Sequence, residues 1–200
     1  MSNPLFDPQI YDLIPAQVKV LDLGCGSGEL LAHLSKKKSI RGYGIDLNEA
    51  NIQACVRKRI RVYQSTIESA LTRFSDNSFD IIILSQTLQE MRDPLWVIEQ
   101  SLRVGQTAIV SFPNFAYWQI RLQLLMGKVP KTKHLPYSWH DTPNIRIITI
   151  ADFEAICQTN GIQIERSFSY SNFNTSISAS PSNFWSQGAI YFLKKGGKND

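Results

Sequence analysis

The sequence has few cysteines and no long apolar run. Its three cysteines, Cys25, Cys55 and Cys157, are scattered and odd in number. They fit neither a disulfide framework nor the paired ligand spacing of a zinc site, so we expect reduced thiols and no bound metal. No stretch approaches the roughly 20 apolar residues that cross a bilayer, and the first residues lack the basic and apolar regions of a signal peptide. These absences predict a cytoplasmic protein without a membrane contact.

Charge is also scarce. Charged residues make up 19% of the chain, and the formal net charge is +4. The basic clusters at residues 36–38 and 57–59 fall where helices are predicted to end, and there cations complement the partial negative charge of the last carbonyl groups. A balance of +4 is too small to indicate an RNA-binding or DNA-binding protein. We therefore expect no nucleic-acid partner.

What the sequence does contain is a repeated alternation of apolar strands and helices. Its 200 residues, 43% of them hydrophobic, fit one domain over residues 1–200. Strands are predicted at 18–23, 40–45, 60–63, 79–84, 106–112, 162–168 and 189–193. Helices are predicted at 29–36, 48–58, 94–103, 117–126 and 149–160. This order predicts a doubly wound parallel sheet, with an ordered insertion at about 115–148 and a surface loop at 169–186.

A glycine-rich turn after the first predicted strand carries the ligand chemistry. In VLDLGCGSGEL (residues 20–30), Gly24, Gly26 and Gly28 stand at alternate positions. Glycine is needed where the backbone turns sharply and approaches a ligand, and the following helix offers free N–H groups. Such a turn could hold NAD, FAD or S-adenosylmethionine, but its G-x-G-x-G spacing is not the G-x-G-x-x-G dinucleotide fingerprint. Asp46, at the end of the second strand, can accept both ribose hydroxyls of an adenosine cofactor.

Three segments in combination resemble motifs of the class I S-adenosylmethionine-dependent methyltransferases. They are VLDLGCGSGEL, GYGIDL (residues 42–47) and FSDNSFDIIILSQTL (residues 74–88). The resemblance covers about residues 18–112. It implies a Rossmann-like, doubly wound, mostly parallel seven-stranded sheet in three layers, α-β-α. It also implies S-adenosylmethionine or S-adenosylhomocysteine as the cofactor.

This resemblance further implies a set of cofactor-binding residues at the ends of the first four strands. Asp22 would support the loop and, through water, the cofactor's amino group, to which Ser85 would present its backbone. The three loop glycines would line the methionine and ribose, Asp46 would hold the ribose, and Leu47 would contact the adenine. The whole set is Asp22, Gly24, Cys25, Gly26, Gly28, Asp46, Leu47, Thr66, Ile67 and Ser85.

The position of Thr66 departs from the pattern of these enzymes. They often carry an acidic residue just after the third strand, which binds the adenine amino group, and here Thr66 stands in that place. Either Glu68 or backbone groups substitute for the acid, or the adenine is held less tightly.

Four later segments resemble the MetW family of methionine biosynthesis proteins. They are SQTLQ (85–89), VSFPNF (110–115), LPY (135–137) and DTPN (141–144), and the resemblance extends to about residue 166. It implies a methyltransferase architecture without a well-assigned methyl acceptor. It also implies association with homoserine O-acyltransferase (MetX), as its partner or activator. An active methyltransferase acting on a small molecule stays open as the alternative.

The residues themselves do not decide whether methyl transfer occurs, because transfer to a strong nucleophile needs mainly positioning. Weak candidates for a catalytic base lie in the predicted insertion: His134, Tyr137, His140 and Asp141. His140 and Asp141 could form an acid–base pair, or these side chains could simply order the insertion. Aromatic residues in the same region could wall a substrate pocket, form a partner surface or pack internally: Tyr117, Trp118, Tyr137 and Trp139.

Overall fold

The computed structural model describes residues 11–132, 135–171, 174–178 and 182–197, and in these ranges eight strands form one mixed sheet. The strands are β1 (Lys19–Leu23), β2 (Arg41–Asp46), β3 (Arg61–Gln64), β4 (Phe79–Ser85), β5 (Gly105–Pro113), β6 (Ile162–Ser171), β7 (Asn174–Ser178) and β8 (Gly188–Lys195). Their spatial order is β3-β2-β1-β4-β5-β8-β6-β7. The first five strands are parallel, whereas β8, β6 and β7 pair antiparallel. The predicted doubly wound α/β fold is confirmed.

The sheet contains one strand more than the seven that the sequence predicts. The additional strand, β7, pairs with the end of β6 at the outer edge of the sheet. It lies inside the predicted 169–186 loop, whose Ser-rich and Asn-rich composition does not show a strand. Residues 172–173 and 179–181 of that segment lie outside the described ranges.

Six helices longer than one turn are seen in the described ranges. They are α1 (Glu29–Lys38), α2 (Glu49–Arg57), α3 (Ile67–Arg73), α4 (Pro94–Val104), α5 (Trp118–Leu125) and α6 (Ile150–Thr159). Side-chain oxygens of Asn48, Asp93 and Thr149 accept backbone N–H groups at the starts of α2, α4 and α6, as their sequences predict. None of the described helices has the length and apolar character that a membrane crossing requires.

Helices cover both faces of the sheet and bury its apolar side chains. Helices α1 and α2 pack on one face, and α3, α4 and α6 pack on the other. Successive side chains of a strand point to opposite faces, and the run from Ile81 to Leu84 in β4 is buried on both. The structure therefore has the three layers expected, with β4 near the centre.

The predicted insertion lies between β5 and α6 and contains one helix, α5. The rest of its described backbone is largely irregular. A small core of its own, formed by Tyr117, Ile120 and Leu135, holds the start of α5 in place. The predicted helix at 117–126 is therefore present, but Ile120 is its buried residue and most of its other apolar side chains remain exposed.

Candidate functional site

The carboxyl ends of the parallel strands meet at one edge of the sheet, and a cavity of about 330 Å³ lies there. In a doubly wound sheet, this edge is where ligands bind, next to the strand at which the connections reverse direction. Five of the residues predicted to bind the cofactor line the cavity: Gly24, Asp46, Leu47, Thr66 and Ile67. Its other lining residues are Ile45, Ser65, Glu68, Thr87, Glu90, Met91, Arg92 and Ile145.

Asp46 organises the wall of the cavity. Its Oδ2 accepts a hydrogen bond from the backbone N–H of Gly26, with a distance of 2.8 Å. Its Oδ1 accepts one from the backbone N–H of Asn48 at 2.8 Å and one from Nδ2 of Asn51 at 3.1 Å. The carboxylate is thus fixed between the glycine-rich turn and the start of α2. Each carboxylate oxygen has two lone pairs, so Oδ1 already accepts two donors and Oδ2 can accept one more donor from a ligand.

The glycine-rich turn adopts backbone conformations that suit glycine. Gly24, Gly26 and Gly28 all have positive φ angles, of 77°, 53° and 75°. A Cβ on Gly28 would lie 2.8 Å from Sγ of Cys55, whereas nothing lies within 4 Å of the Cβ position of Gly26. The backbone at Gly28 is therefore packed against α2, and the backbone at Gly26 faces open space.

Lys58, which lies outside the motif, holds this turn in place. Nζ of Lys58, at the end of α2, donates to the carbonyl oxygen of Ser27 at 2.7 Å and forms an ion pair with Glu29 at 2.8 Å. The cluster at 57–59 therefore does more than complement the end of α2. This contact is not predictable from the sequence, because nothing near Lys58 in the chain indicates that its side chain reaches the turn.

Asp22 lies beneath the turn as a buried carboxyl group. It is 2% exposed, and its Oδ1 has no hydrogen-bond partner among the described residues. Burial, and to a lesser extent the negative charge of Asp46, raises the pKa of Asp22 to about 7. Asp22 is not among the residues that line the cavity, but a buried carboxyl oxygen without a partner, close to Asp46, is suited to interact with a donor or a positively charged group.

Cys25 and Cys55 are neighbours in space. Their Sγ atoms are 4.0 Å apart, and both side chains are buried. Both are free thiols, as expected, and Cys157 is also free. Burial raises the pKa of Cys25 and of Cys55, which keeps both protonated at neutral pH. No group of metal-ligating side chains forms a metal site within the described part of the chain.

Ser85 ends β4 and belongs to a polar group beside the cavity. Oγ of Thr87 lies within hydrogen-bond distance of the carbonyl oxygens of Leu23 and Ser85, at 3.2 and 3.0 Å, and so links the ends of β1 and β4. Gln86 has a φ of 56°, and its Nε2 donates to Oη of Tyr170 at 3.1 Å. Thr87 is not among the predicted site residues, although its position two residues after the fourth strand is a usable signal.

Thr66 and Glu68 both line the cavity at the end of β3. The hydroxyl of Thr66 also accepts the backbone N–H of Ser69 and so caps α3, a helix that the sequence analysis does not predict. Leu47 is 63% exposed at the rim. Burial and the charge of Asp46 raise the pKa of Glu90 on the opposite wall. Acidic side chains therefore stand on both sides of the cavity.

The candidates for a catalytic base that the structure describes, Tyr137, His140 and Asp141, are not among the residues that line the cavity. Tyr137, His140 and Asp141 are exposed in the insertion, and the ring of His140 contacts that of Trp139. His134 lies outside the described residues. Of the aromatic residues of this region, Tyr117 is buried and Trp118 is half-buried against the core of the insertion, whereas Tyr137 and Trp139 are exposed, Trp139 by 73%.

Solved structures with the same architecture come from S-adenosylmethionine-dependent methyltransferases. One from Thermotoga maritima matches with a TM-score of 0.70 and 14% identity, over 96% of this chain and 88% of that one. Another from Archaeoglobus fulgidus matches with a TM-score of 0.64 and 19% identity, over 97% and 95% of the two chains. The fold is therefore that of the class I S-adenosylmethionine-dependent methyltransferases.

Sequence comparison gives the family within this class. The family model described as "Methionine biosynthesis protein MetW" matches residues 7–193. The chain belongs to the MetW family of methionine biosynthesis proteins. A relative from Rhodopirellula baltica, the bifunctional methionine biosynthesis protein MetXA/MetW, is 38% identical over 156 residues, which are 73% of this chain and 25% of that protein. The chain spans about a quarter of that relative's length.

Proposed function

We propose that this chain binds S-adenosylmethionine or S-adenosylhomocysteine in the cavity at Asp46 and acts as a partner or activator of homoserine O-acyltransferase (MetX). The fixed Asp46 carboxylate beside the positive-φ glycine turn supports the first part. The fusion of a MetW segment with MetXA in the Rhodopirellula protein supports the second. It would be a binding and regulatory subunit of methionine biosynthesis.

The residues at the cavity fit this cofactor. Asp46 would hold the ribose hydroxyls, with Leu47, Thr66 and Ile67 beside the adenine. The open space at Gly26 leaves room for a ligand next to the backbone. Asp22, buried and unpaired at Oδ1, would complement the positively charged amino group of the cofactor, through water. Bound S-adenosylmethionine would supply an activated methyl group.

Cofactor binding can regulate a partner through linkage. If cofactor and acyltransferase favour the same state of the chain, each raises the affinity for the other by the same factor. S-adenosylmethionine is made from methionine. A chain that binds the cofactor and the acyltransferase would therefore couple the level of a product of the pathway to the activity of an early enzyme.

Calorimetric titration with S-adenosylmethionine and S-adenosylhomocysteine tests the cofactor part. We expect binding by the wild-type chain and a loss of at least about 30-fold in affinity for Asp46→Ala, since a hydrogen bond from the ribose to a charged group is removed and the turn loses its acceptor. Glu99→Ala, which removes an exposed carboxylate on α4, is the matched control and should bind normally. Equal affinities for all three proteins would reject Asp46 as the ribose ligand.

An acyltransferase assay tests the partner part. We expect the activity of homoserine O-acyltransferase to rise when this chain is added, and to fall in cells that lack it. Unchanged activity with and without the chain would reject the regulatory function.

An active methyltransferase on a small molecule is the second candidate. The observation that favours it is the strained backbone of Gln86 at the end of β4, because strain of about 1–3 kcal/mol often marks an active site. Its amide, with Tyr170 and Ser111, forms a polar group where an acceptor could bind. Transfer of a labelled methyl group from the cofactor to a small molecule of a cell extract, absent with Asp46→Ala, would support this candidate.

A further inference from the structure

An apolar surface lies at the exposed side of α5 and the residues that follow it. We call it the α5 surface, and its members are large apolar side chains exposed by about half or more: Leu122, Leu125, Met126 and Val129. Leu125 is 85% exposed. Exposed leucines occur singly on most proteins, but several neighbouring ones mark a site of interaction.

The packing of α5 explains why this surface stays uncovered. The helix is anchored through Tyr117 and Ile120, which lie in the small core of the insertion. Leu122, Leu125 and Met126 have the i, i+3, i+4 spacing of side chains that share one face of a helix. That face is therefore rigidly held and available to a partner, in the manner of a helix that docks into a groove.

The charged residues next to the α5 surface along the chain all have one sign. No aspartate or glutamate occurs between Glu99 and Asp141, whereas Arg121, Lys128 and Lys131 lie beside the apolar residues. An apolar centre with a charged rim is the usual anatomy of a protein interface. The complementary surface is an apolar groove with carboxylates at its border.

The insertion that carries the α5 surface also reaches the cofactor cavity. Ile145, near its end, lines the cavity, and the N–H groups of Ile145 and Arg146 donate to the carbonyl oxygen of Gln89 after β4. A partner on the α5 surface therefore contacts the segment that also borders the cofactor. This continuity favours the partner of the regulatory function. A nucleic acid would bind mainly through charge, and a membrane surface would bind a helix with a strongly charged face opposite its apolar face, which α5 lacks.

We infer that the α5 surface is the docking site for the homoserine O-acyltransferase, and that the enzyme receives Leu125 and its neighbours in an acid-bordered apolar groove. This inference rests on the proposed function, since it names the place on the chain where that partner binds. Leu125 is the central contact and Lys128 belongs to the charged rim.

Binding of the purified acyltransferase to immobilised chain tests the inference. We expect Leu125→Glu to weaken binding by at least about 30-fold, because it places a carboxylate in an apolar contact facing other carboxylates. Val56→Glu is the matched control, since Val56 is an apolar residue on α2 that is 61% exposed. This variant should bind the acyltransferase as the wild type does. Lys128→Glu should slow association several-fold at low salt and little at high salt. Thermal unfolding and cofactor titration verify that all three variants are folded.

The outcomes separate this inference from the proposed function. If the wild-type chain does not bind the acyltransferase, the partnership is rejected and the docking site with it. If the wild type and Leu125→Glu bind equally well, the partnership stands and the α5 surface is rejected as its site. Binding of the wild type to anionic phospholipid vesicles, lost in Leu125→Glu while acyltransferase binding is unchanged, would also overturn the inference and assign the surface to membranes.

Discussion

The backbone N–H of Gly26 donates a hydrogen bond of 2.8 Å to Oδ2 of Asp46, which joins the turn after β1 to the end of β2. The turn therefore depends on the same carboxylate that is proposed to hold the ribose. Because the other oxygen of Asp46 is also hydrogen-bonded, the site is organised before any ligand arrives. Preorganisation of this kind reduces the entropy cost of binding.

Substitution of Asp46 should therefore lower stability as well as affinity. We expect Asp46→Ala to reduce the free energy of unfolding by about 1–3 kcal/mol, because the N–H groups of Gly26 and Asn48 and the Asn51 side chain lose a charged acceptor. Asp46→Asn should reduce it less, since its one carbonyl oxygen can still accept from Asn48 or from Gly26. Urea denaturation of the three proteins measures the difference. An unfolding free energy of Asp46→Ala equal to that of the wild type would show that the turn does not depend on this carboxylate.

Asp22 should make the stability of the chain fall as pH rises. Its pKa is about 7 in the folded chain, above the ordinary value of an aspartate, so the unfolded chain loses the proton more readily. The contribution of protonated Asp22 to the free energy of unfolding is complete at low pH and is lost between about pH 4 and pH 7. In that range the free energy of unfolding falls by up to about 1.4 kcal/mol per pH unit. Urea denaturation at several pH values should show this slope in the wild type and not in Asp22→Asn.

Cofactor provides a second check on Asp22. A positively charged amino group nearby favours the ionised carboxylate, so saturating S-adenosylmethionine should flatten the decline in stability between pH 5 and pH 7. If the free energy of unfolding of Asp22→Asn falls with pH as steeply as that of the wild type, groups other than Asp22 cause the pH dependence.

Two glycines of the turn should respond differently to alanine. Gly28→Ala would bring a methyl group to within 2.8 Å of Sγ of Cys55, so we expect a loss of stability of about 2–3 kcal/mol. In Gly26→Ala, the added methyl group has no atom within 4 Å. We therefore expect only the loss of stability that comes from a positive φ, about 1 kcal/mol. This methyl group faces the space proposed for the cofactor, so affinity should fall at least about tenfold. Thermal unfolding and calorimetry, measured on both variants, separate the two effects.

Much of the candidate site follows from local sequence. Strand, glycine turn and helix are contiguous, so their spacing determines where Gly24 and Gly28 lie, and Asp46 falls at the end of the next strand. Helix starts follow in the same way, because Asn48 and Asp93 interact with N–H groups two or three residues away. Local patterns predict local contacts.

Other features depend on residues that are distant in the chain. Lys58 contacts Ser27, and Ile145 of the insertion lines the cavity. No sequence pattern near these residues predicts either contact. Strand β7 forms because β6 offers it an edge, not because its residues favour a strand. The leucines of α5 predict a helix correctly, but an apolar face in the sequence does not reveal that the folded chain leaves it uncovered.

Asn114 should be the residue that holds the insertion to the sheet. It is fully buried after β5, and its Nδ2 donates to the carbonyl oxygens of Asn183 and Ser186, at 3.0 and 2.8 Å. Its Oδ1 accepts the N–H groups of Ala116 and Ile150, so one side chain joins both ends of the insertion to the turn before β8.

We expect Asn114→Ala to lower the free energy of unfolding by about 2–4 kcal/mol, because it leaves several buried backbone groups without partners. Asn160→Ala, which removes one exposed hydrogen bond at the end of α6, is the matched control and should cost no more than about 1 kcal/mol. At a temperature where Asn114→Ala is folded, the loosened insertion should weaken acyltransferase binding by about tenfold and cofactor binding by less, since Asp46 and the glycine turn are untouched. Equal losses of both affinities would mean that Asn114 stabilises the whole sheet edge rather than the insertion.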